Sequence, residues 1–105
     1  MDKMFRISSG EFIISGVTDE TKETIGLESP FIIITEPTEK GMVGIKLYPF
    51  NPFVSDVTEV MEFNVEHISF YVKDINPVIQ TEYNRITSGL IVPDKPEPGS
   101  IIVPN

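Results

Sequence analysis

The chain has 105 residues and a mass of 11.8 kDa, the material of one domain. It has no cysteine, which excludes disulfides, thiolate metal sites and cysteine nucleophiles and leaves stability to the core, a partner or self-assembly. Sixteen acids against eight bases give a net charge of −8; this excludes a whole-surface basic footprint for duplex nucleic acid and leaves room only for a local basic patch.

Isoleucine, valine and threonine make up 33 of the 105 residues, alanine is absent and leucine occurs three times. Residues stiff at χ1 favour strands over helices, so the composition predicts a mainly β protein rather than a helical bundle. The first residues reach polar Ser8-Ser9-Gly10 before any long apolar stretch, unlike a signal peptide. The longest apolar run, Phe31 to Ile34, is far short of a membrane span. The expectation is a soluble, cytoplasmic chain with no membrane partner.

Phe5 and Ile7 alternate with Arg6 and Ser8, and a second apolar stretch runs from Glu11 to Val17. Gly10 between them supplies the positive φ of a tight turn, so residues 4–17 predict a hairpin. A polar loop follows over 18–24. A strand over 25–35 is interrupted by Pro30, which cannot donate to a ladder; this strand is therefore at an edge or bulged there. After a turn at 36–41, Val43, Ile45 and Leu47 share one face, and Pro49 and Pro52 then break regular pairing.

The segment 59–73 changes parity. Met61, Phe63 and Val65 share one face, whereas Ile68, Phe70 and Val72 share the face of opposite parity. For both sets to meet one core, the chain must bulge or bend at Val65-Glu66-His67. Two short strands meeting at a sharp corner are expected, as small barrels require. Asn76 then caps a helix with Pro77 at its first position and Gly89 after its end. Ile75, Ile79, Tyr83, Ile86 and Leu90 form its apolar stripe. The organisation is thus a β region over 1–74, a helix packed on it over 75–89, and a Pro-rich extended tail over 90–105. The tail repeats an apolar triplet before proline, at 90–92 and 101–103, and is free to add a strand to a neighbouring copy, to pack locally or to stay disordered.

His67 is the single histidine, and neither a serine nucleophile elbow nor a neighbouring acid supports it as a catalyst, so no enzyme is expected. One histidine and no cysteine argue against zinc. Asp19, Glu20 and Glu23 lack the glycine and alternating spacing of a calcium loop; no metal or other cofactor is expected. Glu59 and Glu62 form a second acidic pair. Tyr48, Phe50 and Phe53 cluster beside Lys46, a combination that suits base stacking with a phosphate contact and equally suits a core.

The stretch Phe5 to Val17, with Ser-Gly at its turn and a bend at Gly16, resembles the opening hairpin of the Sm-like family, which includes Sm, LSm and bacterial Hfq proteins. Val65-Glu66-His67-Ile68-Ser69 resembles the last corner of the Hfq branch. Ser9-Gly10-Glu11, the run Pro49 to Phe53 and Tyr83 are similar to features of small Sm-like proteins from marine tailed bacteriophages. The resemblance spans roughly residues 4–88. It departs from the family in two places: no Asp-x-hydrophobic-Asn signature is visible near Asp19, and Glu66 stands where Hfq-like proteins carry a lysine.

The resemblance implies a strongly bent five-stranded antiparallel Sm-like barrel with one C-terminal helix. It further implies a homo-oligomeric ring of about five to seven subunits, single-stranded RNA as ligand before DNA, and a role in phage nucleic-acid processing. Within it, His67 and Asn64 would reach bases, Lys46 a phosphate, and Asn51 would line the same loop. Two rivals stand beside this: a structural or adaptor ring that binds protein partners without nucleic acid, and a monomeric barrel of the OB type. The ring requires sheet borders left open for sister chains; sheet borders capped by the chain's own tail would remove the argument for it and the role that goes with it.

Overall fold

A computed structural model of the chain describes residues 1–51, 60–88 and 99–104, with the side chains of Lys40 and of 99–104 outside the description. Seven antiparallel strands and one helix make up the described chain, so the mainly β class with a single C-terminal helix holds. The strands are β1 (Asp2–Ile7), β2 (Phe12–Glu20), β3 (Thr24–Pro37), β4 (Met42–Pro49), β5 (Val60–Asn64), β6 (Ile68–Tyr71) and β7 (Gly99–Pro104). The helix α1 is Pro77–Thr87. The sheet runs β6-β1-β2-β3-β4-β7, and β5 also pairs with β3.

The first hairpin forms as its sequence predicts, with Gly10 at φ 98° in the turn. The second strand runs further than expected, through Thr18, Asp19 and Glu20, because Glu20 finds a partner opposite Ile25 and an ion pair with Lys3. Gly26 in β3 permits this extension: a Cβ there would overlap the Thr18 hydroxyl.

The long strand β3 has β2 on one side, and on the other it has first β5, over Thr24–Glu28, and then β4, over Phe31–Pro37. Pro30 therefore lies in a central strand, and the bulge rather than the edge accommodates it. Ser29 and Pro30 together oppose Ser15, and Ser29 takes φ 51°. This positive φ costs a non-glycine residue about 1–3 kcal/mol.

Both faces of the sheet are apolar. Alternation sends Phe5, Ile7, Ile13, Ile25 and Leu27 to one face, where Met61, Phe63, Val65, Ile68 and Phe50 pack against them. It sends Ile14, Phe31, Ile45 and Leu47 to the other, which α1 covers with Ile79 and Tyr83. Two cores explain why adjacent Ile13 and Ile14 are both fully buried. The helix is capped as predicted: the Asn76 side chain accepts from the Val78 N–H at 2.9 Å, with Pro77 at the first position. Gly89 and Leu90 lie outside the described residues.

The corner forms where the parity changes. A 3-10 turn over Val65–His67 separates β5, which pairs with β3, from β6, which pairs with β1. The expectation for the strand after the corner needs correction. A second register shift places Ser69 as an extra residue, so Ile68 lies opposite Ile7 but Phe70 lies opposite Arg6. Phe70 therefore points to the outer face, against Phe12, and Tyr71 takes the Phe5 side instead.

The tail also differs from a free arm. Residues 99–104 form β7 on the outer edge of β4, from Leu47↔Gly99 to Met42↔Pro104. The β4 border is thus covered by the chain's own tail, against the open border that the ring would need there. The sheet has seven strands rather than five, and among the described residues no ladder joins β6 to β5 or β7 to close a barrel. The strands β5 and β6 are each paired on one side only among the described residues.

Candidate functional site

Asn64 and His67 sit at the two ends of the 3-10 corner. The strand β5 delivers Asn64, opposite Thr24, and the turn then lifts His67 onto the surface. Two backbone contacts hold the corner in place. The Val65 N–H donates to the Glu23 carbonyl at 2.9 Å, and the Ser8 N–H donates to the His67 carbonyl at 2.8 Å. The Ser8 hydroxyl donates to the same His67 carbonyl at 3.0 Å. The corner is thus stapled to the β1–β2 turn, and the imidazole stays half exposed with its ring 6.3 Å from Phe63.

The corner's electrostatics are acidic. The Glu66 carboxylate lies 3.8 Å from His67 Nε2 and is largely exposed. A carboxylate facing a phosphate is repulsive, by about 1 kcal/mol at 4 Å in water and more when the pair is partly desolvated.

The other two predicted residues lie elsewhere along the sheet. Lys46 is in the middle of β4, opposite Ile34, ten residues along β3 from the Thr24 that faces Asn64. Its ammonium is 3.3 Å from the Glu36 carboxylate, and the hydrogen bond and charge of Glu36 raise its pKa above the ordinary 10.5. Asn51 follows β4, half-buried. The structure therefore brings together His67 and Asn64, and ties Lys46 to an acid. Of the aromatic cluster, Phe50 belongs to the core, with its ring 6.1 Å from Phe63. Tyr48 is half-buried, and Phe53 and Glu59 lie outside the described residues.

Glu20 of the acidic loop is engaged by Lys3, and among the described residues no three side chains of His, Asp or Glu gather where they would hold a metal. No helix among the described residues is long and apolar enough to cross a membrane.

Three large apolar side chains lie exposed on the two strands that flank the corner. Val60 on β5 and Phe70 and Tyr71 on β6 are 47%, 48% and 42% exposed. They are half of the six large hydrophobic side chains exposed among the described residues, and they stand on β5 and β6, each paired on one side only among the described residues. The signal was available in part: Ile68, Phe70 and Tyr71 place three apolar groups in a four-residue strand, more than one face can bury.

Tyr83 occupies a different kind of place. Its hydroxyl accepts from the Gly16 N–H at 3.0 Å and donates to the Ser29 carbonyl at 2.9 Å, satisfying both strands of the bulge. A cleft of about 230 Å³ opens beside it, lined by Asp2, Glu28, Ser29 and Thr87 among others. The Ser29 carbonyl in its wall is already engaged by Tyr83. The sequence matches no known family model and no curated protein.

Proposed function

We propose that this chain is a non-enzymatic, Sm-like module that assembles head to tail into a ring through the free edges of β5 and β6. The observation that carries this is the coincidence of two edges left unpaired among the described residues, one on each side of the corner, with exposed Val60, Phe70 and Tyr71. An unpaired edge offers a row of backbone donors and acceptors to another chain. Covering apolar side chains at the same time contributes roughly 25 cal/mol per Å². A head-to-tail contact that closes gives cyclic symmetry. Sedimentation equilibrium of the full chain is expected to give one mass of several copies; a single-copy mass at all concentrations would retire the ring and favour the monomeric barrel.

The ligand we assign to the ring is a single strand of nucleic acid, RNA before DNA, met at the repeated Asn64–His67 corner. Each copy contributes one such corner with an exposed imidazole and amide. Binding of labelled oligo-U and oligo-A across a salt series tests it, since electrostatic attachment is strongest at low salt. No binding at low salt removes the nucleic acid and leaves the ring.

A ring that binds protein partners without nucleic acid is favoured by one specific observation. Lys3, Lys46 and Arg85 are each held by a carboxylate, from Glu20, Glu36 and Glu82, in a chain of net charge −8. Partners recovered on the full-length protein and unaffected by nuclease would establish this reading.

A further inference from the structure

Arg6 leaves the sheet between two aromatic residues. It stands opposite Phe12 of β2 on one side and opposite Phe70 of β6 on the other. Neighbouring strands lie about 4.8 Å apart, so two residues that flank a strand stand roughly 10 Å apart at the backbone. The ring centroids of Phe12 and Phe70 are only 5.9 Å apart, at an interplanar angle of 73°. The two rings therefore lean toward one another across β1. Neither packs into either of the two cores; Phe12 is half-buried and Phe70 is exposed.

The Arg6 guanidinium is directed to the hairpin turn, where its Nε–H donates to the Gly10 carbonyl at 3.4 Å. Among the described residues no carboxylate pairs with it. Glu11, the acid of that turn, accepts from the Ser9 hydroxyl instead. Arg85 shows the contrast, held by two hydrogen bonds of 2.8 Å from the Glu82 carboxylate. The patch also adjoins the corner, because Ser8, two residues beyond Arg6, donates to the His67 carbonyl.

We propose that Phe12, Phe70 and Arg6 form a platform for single-stranded nucleic acid, with a base stacked on the Phe70 ring and its neighbouring phosphate on the Arg6 guanidinium. The proposal rests on the nucleic-acid reading of the corner and carries the strand from His67 onto the outer face of β1. Charge decides the occupant. The patch sets an exposed ring beside a cation that no acid holds, and a single strand repeats a flat base and an anionic phosphate at every step. Stacking on an aromatic ring serves any base, and the guanidinium's planar fork matches a phosphate. A strand added to the open side of β6 flanks Phe70 away from Arg6, so assembly leaves the platform accessible.

The test measures binding of a short labelled oligo-U to the full chain across a salt series, for the unsubstituted protein and three variants. Phe70→Leu keeps apolar bulk and removes the ring; it should weaken binding by about 5- to 150-fold, the loss of one base stack, with the salt dependence unchanged. Arg6→Gln should make the slope of log affinity against log salt shallower by about 0.7, one phosphate contact. Arg85→Gln removes the same charge from α1 and should leave that slope as it is. Mass in solution checks that each variant assembles as the unsubstituted chain does; should Phe70→Leu fail this, the slope of Arg6→Gln still decides. Unchanged affinity and slope in Phe70→Leu and Arg6→Gln would overturn the platform and leave the corner standing. An equal change of slope in Arg6→Gln and Arg85→Gln would reduce the effect to net charge and overturn it too. An unsubstituted chain that binds no oligo-U or oligo-A at low salt removes the nucleic-acid reading, and the platform with it. A nuclease-insensitive protein partner lost from Phe70→Leu and Arg6→Gln would then assign the patch to a protein.

Discussion

Two interruptions of the strand ladders, the bulge at Ser29-Pro30 and the corner at Val65–His67, solve the same problem in opposite ways. At the bulge side chains from inside the molecule serve the displaced backbone groups. The Ser15 hydroxyl reaches the Glu28 and Gly16 carbonyls, and Tyr83 crosses from α1 to serve Gly16 and Ser29. At the corner the backbone is pinned at Glu23 and Ser8, and none of its residues is buried. The bulge consumes its polar groups to hold the helix on the sheet. The corner leaves an imidazole, an amide and a carboxylate facing out, between two strands with free edges. Buried satisfaction marks architecture here, and exposed polar groups beside open edges mark the surface available to partners.

Substitutions that separate the two regions begin with the core around Tyr83. Phe31 is 1% exposed with its ring 5.9 Å from Tyr83, so Phe31→Ala is expected to lower the unfolding free energy by about 3–5 kcal/mol in urea titrations. Tyr83→Phe keeps the ring and removes the hydroxyl. It removes the acceptor of the Gly16 N–H and one donor to the Ser29 carbonyl, and should cost about 1–3 kcal/mol.

The same tyrosine gives a pH signature. Burial, first of all, raises the Tyr83 pKa above the ordinary 10.0, so the folded chain keeps a proton that the unfolded chain releases. Its contribution is complete below pH 10 and is lost as pH rises beyond it. Stability measured from pH 9 to 12 should fall in the native chain, and this component should be missing from Tyr83→Phe; an identical fall in both would assign it to other groups. A smaller loss, about 1 kcal/mol, is expected for Asn76→Ala, which removes the helix cap. At the corner, His67→Ala should leave stability within about 0.5 kcal/mol, because the ring is half exposed and the Ser8 bonds go to the backbone carbonyl. A loss at His67 as large as that at Tyr83 would erase the contrast between the two regions.

The features legible in the sequence are those set by neighbours along the chain. Gly10 fixes the hairpin turn, Asn76-Pro77 opens the helix, and the parity change at 65–67 announces the corner. The features that were not legible depend on which strand comes alongside. Pro30 was compatible with an edge or a bulge until β5 and β4 were seen to share one side of β3. The outward turn of Phe70 depends on one extra residue at Ser69 against β1, which no periodicity within β6 reveals. The Pro-rich tail concealed β7 because its partner lies more than fifty residues upstream. Among the candidate site residues, the engagement of Lys46 was within reach: folding β3 and β4 about the turn at 39–41 places Lys46 opposite Ile34, diagonal to Glu36.

The account stands on β5 and β6 being the edges at which copies meet. Amide exchange over residues 60–64 and 68–71, followed from dilute to concentrated protein beside the mass in solution, tests this most directly. Protection in both strands should rise together as the multiple-copy species forms. A multiple-copy species in which both strands exchange as freely as they do in dilute protein would contradict it.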